Sequence, residues 1–172
     1  AVLFNIEFVF TLIHVYGIDA SNITFFGDCD VKKQLIQKYG CKYEDYSVLF
    51  NEEFVKMNKK KFTHTVGNPP YYHGMWRKII MKSIEITEHT VSIISPDDRY
   101  DFGPIAKNNL EYYEANGIQT IEDVTHHFPK EINAGVPLCK YHFDLQKESN
   151  PGAININGEA GKHRELLHKY SV

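Results

Sequence analysis

"KFTHTVGNPPYYHG", residues 61–74, carries the stretch on which the fold turns. Phe62, Thr63, Thr65 and Val66 form a β-branched and aromatic run that closes on Gly67, the signature of a strand. The next residues are more than a turn requires. A turn needs only a Gly, an Asn or one Pro. Here Asn68 precedes Pro69 and Pro70, each of which fixes φ near −65° and removes a backbone donor. The peptide carbonyls are left free to face something else, beside an Asn amide and the rings of Tyr71 and Tyr72.

Upstream, "NITFFGDCD" (22–30) predicts a strand at Ile23–Phe26 closed by Gly27 and two aspartates, and "VKKQLIQKYG" (31–40) a helix ended by Gly40. "YSVLF" (46–50) reads as a second strand, leading into the acidic turn Asn51-Glu52-Glu53. Ile6–Val15, apolar on most sides, predicts a well-buried helix ending before Gly17. Downstream, Gly74–Thr87 predicts a helix with Trp76, Ile79, Ile80 and Ile84 on one side, and "TVSIIS" (90–95) a strand ending at Pro96. A helix over Ile105–Asn116 closed by Gly117, strands at "IQTIEDV" (118–124) and "PLCKYHFDL" (137–145), and a last short helix at Arg164–Tyr170 complete the pattern.

Strands alternating with helices predict α/β architecture with a mainly parallel sheet. Residues 1–148 form one domain, and 149–172 a polar, Gly- and Asn-rich extension. In an open parallel sheet ligands bind outside the carboxyl ends of the strands. Asp28 and Asp30, Glu52 and Glu53, and Asn68–Tyr72 each come after a predicted strand, so all belong on one edge.

At 172 residues the chain is long enough for one domain with a real core. A net charge of −3 argues against a stand-alone, high-affinity DNA binder, while leaving room for a local basic cleft. Cys29, Cys41 and Cys139 lack C-x-x-C spacing and read as reduced thiols of a cytoplasmic protein. His126-His127 is the only adjacent histidine pair, and neighbours in sequence rarely share a metal, so no metal site is expected. Ala1–Ile18 has neither a basic n-region nor an 18-residue apolar run, so neither a signal peptide nor a membrane span is expected.

In its order of motifs the chain resembles the S-adenosylmethionine-dependent amino-group DNA methyltransferases that modify adenine at N6. Their hallmark is Asn/Asp/Ser-Pro-Pro and then an aromatic after the fourth strand, matched here by Asn68-Pro69-Pro70-Tyr71. "NITFFGDCD" is similar to the strand whose terminal acid holds the cofactor ribose, which maps to Asp28. "LFNEEFVKM" (49–57) resembles the acid-aromatic motif near the cofactor adenine, which maps to Glu53 and Phe54. "TVSIISPDDRY" and "IEDVTHHFPKEINAGVPLCKYHF" resemble the later strands, with Phe128 where the family supplies a second base-facing aromatic. The resemblance covers residues 23–146. It implies a Rossmann-like sheet with helices on both faces, S-adenosylmethionine as cofactor, and an adenine flipped out of DNA as substrate, as in restriction-modification or phage enzymes.

The chemistry of the motif accounts for the stiff turn. The exocyclic amine of adenine is a poor nucleophile because its lone pair is delocalised into the ring. Acceptors at the Asn68 side-chain oxygen and the Pro69 carbonyl, aimed at the amine hydrogens, would draw the nitrogen toward sp³ character and free that lone pair. Tyr71 would stack on the flipped base. Plainer readings stand beside these. Asn68–Tyr71 can be an ordinary turn, and Asp28 or, better, Asp30 can N-cap the helix near Val31. Glu53 can be a solvated charge, and Phe54, Phe128 and Trp76 can be core. His126 and His127 can be loop polar groups. Lys59-Lys60-Lys61 reads as a solvated turn, with a phosphate contact as the lesser alternative.

One element departs from the family pattern: no Gly-rich loop precedes the first helix, and only Ala1–Phe4 lies before it. That stretch is too short for both a central strand and a glycine turn, so the fold is expected to be truncated at its N-terminus. A missing upstream segment or another chain would then complete the sheet. Three functions remain open: an adenine-specific DNA methyltransferase, a methyltransferase of glutamine amides in proteins (which also carries Asn-Pro-Pro-Tyr), and a non-catalytic binding module on the same fold.

Overall fold

The computed structural model describes residues 1–96, 111–128, 137–147, 154–156 and 159–161. The chain is mixed α/β and divides into two compact units, Ala1–Glu88 and His89–Val172.

The first unit contains β1 (Val2–Leu3), α1 (Ile6–His14), β2 (Thr24–Gly27), α2 (Asp30–Lys38), β3 (Lys42–Asp45), α3 (Glu52–Met57), β4 (Phe62–Gly67) and α4 (Met75–Ile86). Its strands lie in the order β3-β2-β1-β4. The pairings β2–β3, β1–β2 and β1–β4 are all parallel. Successive residues of a strand face opposite sides, and β2 shows the consequence. Phe25 joins Val2, Val9, Ile36 and Cys41 in a core beneath α1 and α2. Phe26 turns the other way and meets Phe54 of α3 and Phe62 edge-on, at 6.3 and 5.8 Å between ring centroids. Helices therefore cover both faces of this layer.

Four expectations are corrected in this unit. The central strand expected to be missing is present: Val2 and Leu3 pair with Phe25 and Phe26 on one side and with Val66 and Gly67 on the other. Two residues suffice because both are fully buried and paired on both edges. "YSVLF" is not a strand but a 3₁₀ turn, Tyr46–Phe50. The Asp45 carboxylate accepts the Ser47 N–H at 2.9 Å, a local bond that competes with sheet pairing, and the neighbouring strand is "KYED" instead. Asn51-Glu52-Glu53 is not a free turn, because the Asn51 side chain caps α3 by accepting the Phe54 N–H at 3.1 Å. Helix α1 is amphipathic rather than buried all round, with Val9 its one buried residue.

In the second unit β5 (Thr87–Pro96, from His89 onward), β7 (Leu138–Asp144) and β6 (Ile118–Asp123) form an antiparallel layer with β7 in the middle. The mainly parallel expectation thus holds for the first unit alone. Val91, Ile93, Ile121, Cys139, Tyr141 and Phe143 are buried. Tyr113, on a helical stretch at 111–115, packs edge-on against Tyr141 and Phe143 at 5.7 and 5.5 Å. The polar 149–163 region is not wholly a connection, since β8 (Ile154–Ile156) and β9 (Glu159–Gly161) pair antiparallel within it. The expected Arg164–Tyr170 helix and the first half of Ile105–Asn116 lie outside the described residues. Among the described residues no helix is long and apolar enough to cross a membrane.

Candidate active site

Because β1 to β4 run parallel, the residues just beyond them emerge at one edge: Phe4 and Asn5 after β1, Asp28 after β2, Tyr46 after β3 and Asn68 after β4. Strands β2 and β4 flank β1. At about 4.8 Å per strand step, Asp28 and Asn68 leave the sheet roughly 10 Å apart.

The Asn-Pro-Pro-Tyr corner is held from both sides. The Asn68 N–H donates to the Leu3 carbonyl at 3.2 Å, which ties the corner to the end of β1. Gly67 makes this approach possible, since a Cβ there would lie 2.5 Å from Leu3 Cβ. Pro69 is buried, while Asn68, Pro70 and Tyr71 are half-buried. The Tyr71 hydroxyl donates to Asn68 Oδ1. Burial pushes the Tyr71 phenol up to about 12, only partly opposed by its bond to Asn68. The phenol is therefore a neutral donor across the physiological range. His73 (φ 52°) and Gly74 (φ 68°) then turn the chain through two left-handed residues into α4.

At the β2 end the Asp28 carboxylate pairs with Lys32 at 2.9 Å, and Lys32 Nζ also lies 3.4 Å from the Phe4 carbonyl. The plainer alternative of a helix cap does not hold for either aspartate: the N-cap of α2 is Cys29, with no side-chain bond, and Asp30 opens the helix. There Asp30 faces the positive end of the helix dipole, where a carboxylate is favoured without capping geometry. Glu53 is exposed and Phe54 half-buried, both in the first turn of α3.

The turn from β1 into α1 decides how a cofactor can fit. In place of glycine it uses Phe4 at φ 64°, with its ring buried 5.1 Å from that of Tyr46. Its amides are already engaged. Phe4 N–H donates to Phe26 O at 2.9 Å and Asn5 N–H to Leu3 O at 2.8 Å, while Asn5 Oδ1 accepts the Glu7 N–H. Of the residues expected to hold a nucleoside, Asp28 keeps an exposed carboxylate, paired with Lys32, that could accept from ribose hydroxyls, and half-buried Phe54 could offer an apolar wall. The amino-acid end of S-adenosylmethionine finds no free amide on Phe4 or Asn5.

The structure thus brings Asn68–Tyr71 and Asp28 to one edge, with Phe54 against Phe26 beneath. Phe128 is half-buried in the second unit, closing the Thr125–His127 turn, where His126 and His127 are exposed with rings 3.9 Å apart. Trp76 is half-buried under the Arg77 guanidinium at 4.6 Å. The lysine run is the exposed turn the sequence suggests, away from the site, with two of its ammonium groups engaged. Lys60 Nζ caps the Ile84 carbonyl of α4 at 3.1 Å and Lys61 Nζ bonds Asn58 at 2.8 Å, at the amino end of β4. Sequence reasoning missed Lys32 and Phe4. Lys32 stands four residues after Asp28, a helical pairing distance that could have been read. The left-handed Phe4 leaves no such signal.

No family model and no curated protein matches this sequence. Solved structures share the fold. The M protein of the Type I restriction enzyme EcoKI is 14% identical with a TM-score of 0.54, over 75% of this chain and 32% of that one. The type I restriction-modification methyltransferase subunit from Streptococcus thermophilus is 10% identical with a TM-score of 0.61, over 98% of this chain and 45% of that one. A predicted O-methyltransferase from Agrobacterium tumefaciens is 9% identical with a TM-score of 0.51, over 91% and 76%. The chain spans less than half the length of the first two. The likeness establishes the fold of methyltransferases.

Proposed function

We propose that this chain forms the amine-binding part of an S-adenosylmethionine-dependent methyltransferase that acts on the exocyclic amine of adenine in DNA. One observation carries the reading: Asn68-Pro69-Pro70-Tyr71 sits at the carboxyl end of β4, pinned to β1, on the same edge as Asp28. Asn68 Oδ1 and the Pro69 carbonyl accept the two amine hydrogens, and the prolines keep those acceptors from relaxing away. The Tyr71 ring supports the flipped base, with Phe128 as a second aromatic. Asp28, with Glu53 and Phe54, holds the nucleoside part of the cofactor. When bound, the cofactor supplies a methyl group on a sulfonium centre. Sequence recognition on DNA falls to a further segment or chain, as expected of a unit that spans 32% of the EcoKI M protein.

The engaged amides of Phe4 and Asn5 favour one other reading, a non-catalytic module that keeps the base pocket. Titration calorimetry with S-adenosylmethionine, joined to transfer of labelled methyl groups to adenine-containing DNA, separates the two. Asn68→Ala is expected to slow transfer about 10²- to 10³-fold at unchanged cofactor affinity. Equal loss of both would show that Asn68 only holds the fold. Labelling of a glutamine-containing peptide in place of DNA would move the substrate to protein amides.

A further inference from the structure

The Tyr71–Asn68 hydrogen bond places two proposed functions in conflict. Asn68 Oδ1 is the acceptor offered to the substrate amine, yet in the free chain it is taken by the Tyr71 hydroxyl. In the ground state, as the base first enters, the hydrogens of an aromatic amine lie in the plane of its ring, so the acceptor they first reach lies near that plane. A ring stacked on Tyr71 sits about 3.5 Å from it, which lifts the phenol oxygen out of the base plane by a similar amount. An O–H···O bond extends only to about 3.0 Å. Tyr71 therefore cannot stack on the base and keep its bond to the same oxygen.

We infer that the Tyr71 hydroxyl is a stand-in for the substrate amine: it occupies Asn68 Oδ1 until a base enters, and the base's own N–H takes over the bond. This rests on the adenine reading and adds to it a source of selectivity. A ring that brings an exocyclic amine restores the lost bond. A ring without one leaves a half-buried acceptor unpaired, and that asymmetry is the larger part of what a hydrogen bond contributes. The stand-in also keeps the corner correctly turned while empty, because an Asn amide bonded through its oxygen presents that oxygen, rather than its NH₂, to the site.

The test uses the full chain, wild type and Tyr71→Phe, with labelled single-stranded oligo(dA) and the same oligonucleotide carrying purine, which lacks the amine. Tyr71→Phe keeps the ring and removes the competitor. Its affinity for oligo(dA) is expected to rise about 2- to 10-fold, the equilibrium equivalent of one net hydrogen bond. Wild type is expected to prefer adenine over purine by at least that factor. Binding by wild type with no gain in Tyr71→Phe overturns the stand-in alone. Absence of binding by both proteins overturns the base-binding reading as well. A second measurement needs no variant: by NMR, the Tyr71 hydroxyl proton should be protected from exchange in the free chain and lose that protection when oligo(dA) saturates it. Protection that survives saturation refutes the exchange.

Discussion

Replacing Gly67 by alanine probes the joint between β1 and the Asn-Pro-Pro-Tyr corner. Gly67 has no positive φ, so alanine meets no backbone penalty and the cost is steric. The new Cβ would stand 2.5 Å from Leu3 Cβ, 3.0 Å from Leu3 O and 3.1 Å from Leu3 Cγ. Carbon atoms prefer about 3.5–4.0 Å, so the two strand ends must part by about 1 Å. Leu3 is fully buried and paired on both edges, which leaves it nowhere to go. Overpacking of this kind costs about 1–3 kcal/mol, and stretching the Asn68–Leu3 hydrogen bond adds about 1 kcal/mol. The stiffer unfolded chain returns about 0.4–1 kcal/mol. The balance is a loss of about 2 kcal/mol. In urea, with a slope of about 2 kcal/mol per molar, the midpoint should fall by roughly 1 M. Gly27→Ala is the control. There the nearest atoms are ring carbons of Phe25 and Tyr43, at 2.6 and 2.8 Å; the half-buried Tyr43 ring can swing away, and even the buried Phe25 ring is a side-chain end that can tilt more readily than a Cβ and a carbonyl can shift. If Gly67→Ala unfolds no earlier than Gly27→Ala, the tight β1–β4 contact is not what holds the corner in place.

Three further outcomes are expected. Phe4→Gly relieves a left-handed residue by about 1–2 kcal/mol but removes a buried ring, a loss of about 3–5 kcal/mol, so thermal melting should show a net fall in stability; a gain would mean the Phe4–Tyr46 contact is idle. Tyr71 has its folded pKa raised from the ordinary 10.0 of a tyrosine to about 12. Its contribution is thus fully present below pH 10 and is lost as pH rises from 10 toward 12. Melting curves of wild type and Tyr71→Phe should differ in slope only in that window, and parallel curves would contradict it. Finally, with the Phe4 and Asn5 amides engaged, adenosine should compete with S-adenosylmethionine within about 10-fold in calorimetric displacement; a preference of thousands-fold for the full cofactor would mean that other groups grip its amino-acid end.

Much of the corner was legible because its determinants are local. Two prolines after Gly-Asn at the end of a β-branched run can do little else, and β4 and α4 appear where the pattern put them. Strand β1 was not legible, since two residues carry no periodicity and its pairing partners lie far along the chain. "YSVLF" misled because its composition suits a strand, while one carboxylate–amide bond at Asp45 and Ser47 sets the backbone instead. At the site, Asn68 and Asp28 could be named from position alone. The Tyr71–Asn68 bond emerges only from where the side chains come to rest, whereas the Lys32–Asp28 pair carried a spacing signal that went unread.

The brevity of β1 has a consequence for assembly. Val2 aligns with Val66, 64 positions later, and with Phe25 on the other side. The middle of the layer cannot close until a long loop has been drawn in, an entropic barrier that local helices do not face. Folding kinetics should register this as a late step: truncating Val2 or Leu3 should speed unfolding far more than it slows folding.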